Sequence, residues 1–163
     1  MIEGEAMLRI ESTLFDMAFR RDIEYHTPNY GEWYLDLITG NVFWVYDVDQ
    51  EAESDGLSAE ENKSQREDVE SQPDHFALIP GLHHGEYHDI LKSFITSDCI
   101  EDKQLIEEVQ SCYQGSIGGW IEKVGRLDDS SIILNKWSEF QESTIEAKAR
   151  EFLKKFNIEY EFY

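Results

Sequence analysis

"WYLDLITGNVFWVY", residues 33–46, contains the clearest fold signal in the sequence. Two runs of aromatic and β-branched side chains flank residues 38–40, a pattern typical of a β-hairpin whose glycine adopts the left-handed conformation. With residues 38–40 as a three-residue loop, we expect Leu37 to face Asn41 and the pairs to continue outward from there. Asp36 precedes the loop, so its carboxylate is predicted to cap the backbone N–H groups of the turn.

In this register both faces of the hairpin are apolar or aromatic, unlike a sheet with one face in water. The two sets of side chains are Trp33, Leu35, Leu37, Phe43 and Val45 on one face, and Tyr34, Val42, Trp44 and Tyr46 on the other. Either helices cover both faces, or one face is a docking surface. Burial is the commoner fate of aromatic strands.

Helical periodicity surrounds the hairpin. Apolar residues recur at helical spacing in segments 12–23, 87–95, 105–113, 120–140 and 145–156, with Ser143 and Glu146 forming a capping-box pattern. Residues 75–79 are predicted to add a third strand, which ends at Pro80. The expected fold is α+β, a small antiparallel sheet of about three strands packed against four or five helices, in a single domain over residues 1–163.

The segment 47–74, called the acidic segment below, interrupts this order. It contains 11 acidic and 2 basic residues among 28, and few apolar ones. Such a composition buries too little apolar surface to offset the entropy of ordering, so we expect a flexible acidic insertion with transient helix near residues 59–69.

Charge and composition limit the possible functions. The formal net charge is −21, which argues against direct nucleic-acid binding because that depends on neutralising phosphates with Lys and Arg. The first ten residues lack the pattern of a secretion signal, and no apolar run reaches the ~20 residues that span a bilayer. The sequence therefore predicts a cytoplasmic protein with no membrane partner, whose Cys99 and Cys112 are buried thiols that form no disulfide.

The order of these motifs resembles a bacterial uncharacterised protein family. The resemblance covers roughly residues 14–158 and implies the order of elements without implying an activity. Its relatives carry a Tyr-Leu-Asp-Leu-x-Thr-Gly-x-Val hairpin, an Ile-Pro strand end, a glycine-rich turn and a late Trp-x-x-Phe. The matching residues here are Tyr34, Leu35, Asp36, Leu37, Thr39, Gly40, Val42, Ile79, Pro80, Gly115, Trp137 and Phe140.

That family tends to place a basic run after the glycine-rich turn, and this chain departs from it. The sequence here is GSIGGWIEKVG, with Glu122 and Lys123 where two arginines would stand. A phosphate or nucleic-acid role for this turn is therefore not expected.

Few residues suggest catalysis. His83, His84 and His88 cluster at a predicted helix start, and two histidines one turn apart can share a metal ion. A metal site generally needs further ligands, and the Glu of a zinc-protease motif is missing. We therefore expect no metal and no cofactor, and the sequence favours a protein that is not an enzyme.

The leading prediction is a cytoplasmic, non-enzymatic protein-binding module that engages a basic protein surface, with nucleic-acid mimicry or inhibition as one form of it. The acidic segment would steer the encounter, and the adjacent aromatic residues would supply the buried contact. The predicted partner-binding residues are Tyr34, Trp44, Tyr46, Asp47, Asp49, Glu51 and Glu53. The alternative is a small hydrolase or metal-dependent enzyme with its site near residues 83–88.

Overall fold

A computed structural model describes residues 7–20, 30–97, 99–128 and 130–163. Contacts along the chain fall into two compact units. The first unit combines residues 1–82 with 156–163, and the second unit is residues 83–155.

The first unit carries all the described strands. Its elements in chain order are β1 (Leu8–Ile10), α1 (Ser12–Phe19), β2 (Gly31–Asp36), β3 (Val42–Tyr46), a 3₁₀ helix (Asp49–Asp55), α2 (Ala59–Ser71), β4 (Phe76–Ile79) and β5 (Tyr160–Phe162). The predicted helix over residues 12–23 is present as the shorter α1, with Glu11 at its N-cap, and residues 21–23 lie outside the described part of the chain.

Three of these strands form the predicted antiparallel sheet, in the order β3-β2-β4. The third strand pairs with the hairpin as expected, with Trp33 opposite Ile79 and Leu35 opposite Ala77. The hairpin therefore supplies the central strand and one edge strand. The edge strand is β3.

The predicted hairpin register is wrong by one residue. Trp33 pairs with Trp44 and Tyr34 with Phe43, so each β3 side chain lies on the face opposite to the predicted one. The connection is one residue longer than expected, because the Asp36 N–H donates to the Asn41 carbonyl at 2.8 Å.

The predicted Asp36 cap is confirmed. The Oδ1 atom of Asp36 accepts hydrogen bonds from the N–H groups of Ile38 at 2.8 Å and Thr39 at 3.0 Å. The Gly40 N–H donates to the Asp36 carbonyl at 2.8 Å, so this residue organises the turn through both its main chain and its side chain.

Gly40 combines two constraints, and alanine is expected to violate both. Its φ is +80°, and a Cβ atom would collide with the backbone carbonyl of Arg9. Gly56 has a similar φ of +83° with no atom within 4 Å of its added Cβ, which makes it the matched control. We expect Gly56→Ala to lower the free energy of unfolding by about 1–2 kcal/mol through backbone strain. Gly40→Ala should cost about 1–3 kcal/mol more through the clash, measured by urea unfolding. Equal losses of unfolding free energy in the two variants would contradict the close approach of Gly40 to the Arg9 carbonyl.

β1 and β5 form a separate parallel pair, with Arg9 opposite Glu161. The sequence patterns do not predict β1. Leu8 and Ile10 are buried while Arg9 is exposed, the alternation of a strand with one covered face. Phe162 packs on Phe15 of α1, with ring centroids 5.3 Å apart.

The second unit is helical in its described residues. It contains α3 (His84–Ile95), α4 (Lys103–Ser111), α5 (Ile117–Val124) and α6 (Ser130–Lys154). The predicted stripe of α3 is confirmed, with Tyr87, Ile90, Leu91, Phe94 and Ile95 all buried. Together with the sheet of the first unit, these helices confirm the α+β class.

The sequence predicts two helices where α6 runs unbroken. The Ser143 and Glu146 pattern lies inside α6 and begins no new helix. Buried Trp137 and Ile145 flank this point at helical spacing, and no glycine or proline separates them. The apolar stripe therefore continues and stabilises a single helix of 25 residues.

Candidate functional site

The acidic segment contains two helices in the structure, where the sequence predicts a flexible loop. Ser58 caps α2 by accepting a hydrogen bond from the Glu61 N–H at 3.0 Å, and Glu60 and Glu61 lie favourably in its first turn. The predicted transient helix near residues 59–69 thus corresponds to a formed helix. Local capping starts this helix, but tertiary contacts are needed to hold it.

Asn62 provides the main tertiary contact of α2. Its side chain is fully buried, and its amide pairs with both backbone groups of Tyr46 on the edge strand β3. The Tyr46 N–H donates to Oδ1 at 2.8 Å, and Nδ2 donates to the Tyr46 carbonyl at 2.9 Å. The side chain thereby takes the place of a neighbouring strand, and it covers an edge that would otherwise be free to pair.

Asp49 and Arg66 extend this contact. The Asn62 amide also donates to Asp49 at 2.9 Å, and the Arg66 guanidinium donates to both Asp49 oxygens, at 2.5 and 3.0 Å. These hydrogen bonds, from Arg66 first and then from Asn62, hold the pKa of Asp49 below its ordinary value. Because the pKa of this carboxyl group is lower in the folded than in the unfolded state, its ionised form stabilises the fold at pH values above the unfolded pKa, which is near 4. This stabilisation is lost as the pH falls through the folded pKa.

A small apolar cluster seals the junction between β3 and the acidic segment. Ala52 of the 3₁₀ helix is fully buried with Trp44 and Tyr46, and Trp33 and Leu57 pack against them. The Trp33 and Trp44 rings meet edge to face at 5.5 Å between centroids. The junction of hairpin and acidic segment is therefore a packed contact within the first unit.

The seven predicted partner-binding residues do not form one surface. Trp44 and Tyr46 are buried in the cluster, while Tyr34 lies on the opposite face of the sheet because of the register shift. Asp49 is engaged by Asn62 and Arg66, and Glu51 is only partly exposed. Of the seven, Asp47 and Glu53 are exposed to solvent.

The solvent-facing side of the acidic segment is nevertheless strongly acidic. Its exposed acidic residues are Asp47, Glu53, Glu60, Glu61, Glu67, Asp68, Glu70 and Asp74. Five of them lie on α2, whose Asn62 faces inward. Because α2 is held at Asn62 and Arg66, the helix backbone that carries these carboxylates has a defined position. Sequence reasoning overlooked most of them, since it located the site before α2.

The face of the sheet that bears Tyr34 carries a group of partly exposed aromatic side chains. Tyr34 stacks on Phe43 at 6.0 Å between centroids, and Phe43 meets Phe76 edge to face at 5.8 Å. Leu78, which pairs with Tyr34, is 47% exposed. We call Tyr34, Phe43, Phe76 and Leu78 the aromatic sheet face.

Acidic side chains surround this face. Burial raises the pKa of the Tyr34 phenol, and so do the negative charges of Glu32, Asp47 and Glu70. Carboxylates from β2, from the end of the hairpin and from α2 thus act on one aromatic ring. The aromatic sheet face combines apolar contact area with a negative electrostatic field.

The histidines of the second unit form a different cluster. The Nε2 atoms of His84 and His88 are 3.0 Å apart, and His88 Nδ1 lies 2.5 Å from the Tyr113 hydroxyl. The His83 N–H donates to the Glu86 carboxylate at 3.2 Å, an interaction that belongs to the start of α3. Across the described ranges, no group of three or more His, Cys, Asp or Glu side chains is arranged to hold a metal ion.

Among the described residues, no helix combines the length and apolar character needed to cross a membrane. Comparison with curated proteins found no match, and neither did comparison with solved structures. The model of one protein family matches residues 7–163, and that family is described as uncharacterised. This match spans nearly the whole chain, and the protein therefore belongs to the uncharacterised protein family UPF0158.

Proposed function

We propose that this protein is a cytoplasmic, non-enzymatic binding module that engages a basic surface of a partner protein through α2. The observation that carries the proposal is the attachment of α2 by Asn62, which holds a helix with exposed carboxylates against the sheet. A fixed array of charge loses little conformational entropy on binding, so it recognises a partner better than a mobile acidic loop would.

The aromatic sheet face gives this surface an apolar component. Charged groups steer the encounter and set specificity, whereas desolvated aromatic side chains supply most of the affinity. Trp44 and Tyr46, which the sequence assigned to this role, are buried, and Tyr34 with its neighbours takes their place. Imitation of nucleic-acid phosphates by the α2 carboxylates, as an inhibitor would use, is one form of this function.

A charge-neutralised variant tests the proposal. Replacing Glu60, Glu61, Glu67 and Glu70 with Gln removes four exposed charges from α2. The matched control replaces four exposed acids of the second unit with Gln, namely Glu107, Glu108, Glu139 and Glu151. Proteins captured from an extract of the cells that make this protein are identified by mass spectrometry.

We expect a basic protein to be retained by the wild type and by the control, and to be lost from the α2 variant. Its retention should also fall as salt screens the exposed charges. Equal retention by the two variants would contradict a role for α2, and so would the absence of any specifically retained protein.

A metal-dependent enzyme is the second candidate, and the contact between His84 and His88 is the observation that favours it. Two imidazoles at this spacing could share a transition-metal ion, although catalytic zinc sites generally use three protein ligands. Calorimetric titration with Zn²⁺ and Ni²⁺ distinguishes the candidates. Metal binding that disappears in the double variant His84→Ala/His88→Ala would favour the enzyme hypothesis. Wild-type protein that binds neither metal would contradict it.

A further inference from the structure

A cavity of about 200 Å³ lies where α2 meets the aromatic sheet face. The lining residues come from the hairpin, from α2 and from β4: Asp36, Asn41, Phe43, Gln65, Asp68 and Phe76. Two carboxylates and two carboxamides therefore surround two aromatic rings, and none of the lining residues that the structure describes is basic.

The polar lining is rich in hydrogen-bond acceptors that lack donors. Gln65 Oε1 is buried and has no hydrogen-bond partner among the described residues. Both turn N–H groups bond to Asp36 Oδ1, and within the described chain Oδ2 has no partner. The Asp68 carboxylate likewise forms no ion pair with any residue that the structure describes. Of these acceptors Gln65 Oε1 is buried, and a buried acceptor without a donor is unfavourable, whereas Asp36 is partly exposed and Asp68 is exposed. A ligand with several N–H groups would satisfy the buried acceptor and pair with the two carboxylates.

The apolar lining favours a flat cation. Phe43 and Phe76 meet edge to face, with an interplanar angle of 88°. Aromatic faces attract cations, and guanidinium stacks on them more readily than ammonium because it is planar and more weakly hydrated. Guanidinium also carries five N–H donors in a fixed plane, which suits several acceptors arranged around a ring.

We propose that this cavity is a receptor for an arginine side chain of the partner protein, with its guanidinium between the Asp36 and Asp68 carboxylates and against Phe43 and Phe76. The proposal rests on the proposed function and deepens it, since it specifies which basic residue of the partner is recognised. The glutamates of α2 attract the partner, and the cavity selects arginine.

The direct test uses isolated side-chain probes and the whole protein. ¹⁵N-labelled protein is titrated with N-acetyl-arginine amide, with its neutral analogue N-acetyl-citrulline amide and with N-acetyl-lysine amide. The Gln65 side-chain amide and the backbone amides of Phe43, Asp68 and Phe76 report on the cavity. We expect saturable shifts at these positions with arginine, at a Kd on the order of millimolar for so small a ligand.

Variants separate the cavity from general charge. Asp68→Asn should weaken binding of the arginine probe by about threefold to tenfold. Glu61→Gln removes the same charge from the same helix outside the cavity lining, and it should leave the affinity nearly unchanged. Unchanged melting temperatures would show that both variants retain the fold.

Three outcomes would overturn the proposal. Citrulline shifts equal to those of arginine would mean that charge is not recognised, and equal lysine binding would mean that the guanidinium group is not selected. Equal effects of Asp68→Asn and Glu61→Gln would assign the binding to general electrostatics.

The same variants keep this inference apart from the proposed function. If the α2 glutamate variant loses the partner while Asp68→Asn retains it fully, partner binding through α2 is supported and arginine recognition by the cavity is contradicted. If the α2 glutamate variant still retains the partner while the arginine probe still binds the cavity, the proposed function is contradicted. The cavity is then supported only as a binding site for a small guanidinium ligand.

Discussion

Replacing Trp120 with alanine is expected to lower the free energy of unfolding by about 3–5 kcal/mol, the largest effect among the predicted variants. The side chain is fully buried in the second unit, with its ring centroid 5.6 Å from that of Trp137 and 6.2 Å from that of Phe94. Its indole Nε1–H donates to the Val109 carbonyl of α4 at 3.0 Å. Alanine would leave a large cavity and an unpaired carbonyl together.

Trp120→Phe divides this loss into its two parts. Phenylalanine keeps a ring between Phe94 and Trp137 but cannot donate to Val109, so we expect a smaller loss that includes about 1–3 kcal/mol for the orphaned carbonyl. Urea unfolding followed by circular dichroism measures both variants. An alanine variant as stable as the phenylalanine variant would show that the ring does not hold these helices together.

Asn62→Ala is expected to lower the free energy of unfolding by about 2–4 kcal/mol and to release α2 from the sheet. The substitution removes the partner of both Tyr46 backbone groups, and each buried group left unpaired costs about 1–3 kcal/mol. Asp49 also loses one of its donors. Water can reach the exposed strand edge, which limits the total.

Ser64→Ala is the matched control, because Ser64 is exposed on the same helix. We expect that variant to remain within about 0.5 kcal/mol of the wild type. Hydrogen exchange of the Tyr46 amide gives a local readout, which should accelerate in Asn62→Ala alone. A Tyr46 amide that stays protected in Asn62→Ala would contradict the role of Asn62 at the strand edge.

The elements that the sequence predicts well are those that depend on local patterns. The stripe of α3 and the Asp36 cap follow from spacing and from turn chemistry within a few residues. The third strand was predictable because Pro80 ends a short β-type run directly after Ile79. Local sequence suffices where the interactions that hold an element lie inside it or next to it.

The features that sequence reasoning missed depend on distant contacts. The hairpin register changes with one residue in the loop, and both alternatives place apolar side chains on each face, so periodicity could not choose between them. α2 has few apolar residues, and a composition argument therefore favours disorder. What stabilises its position is one buried amide and one ion pair, from residues 62 and 66 to residues 46 and 49.

The candidate site also combines features that local sequence predicts with features that depend on distant contacts. The net charge and the acidic segment were visible in the sequence, and they directed attention to the region that contains α2. The cavity was not predictable, because Asp36, Gln65 and Phe76 come from three elements that meet only in the folded chain. A cap residue such as Asp36 can serve the turn with one oxygen and present the other to a ligand.

Amide hydrogen exchange in the native protein shows directly whether α2 of the acidic segment is an ordered helix fixed on β3. Mass spectrometry of peptides that cover residues 59–71 measures it without any substitution. The structure predicts exchange that is clearly slower than in an isolated peptide of the same sequence, with protection lost in Asn62→Ala. Exchange at the rate of the isolated peptide would mean that α2 is not an ordered helix and does not present a fixed acidic surface.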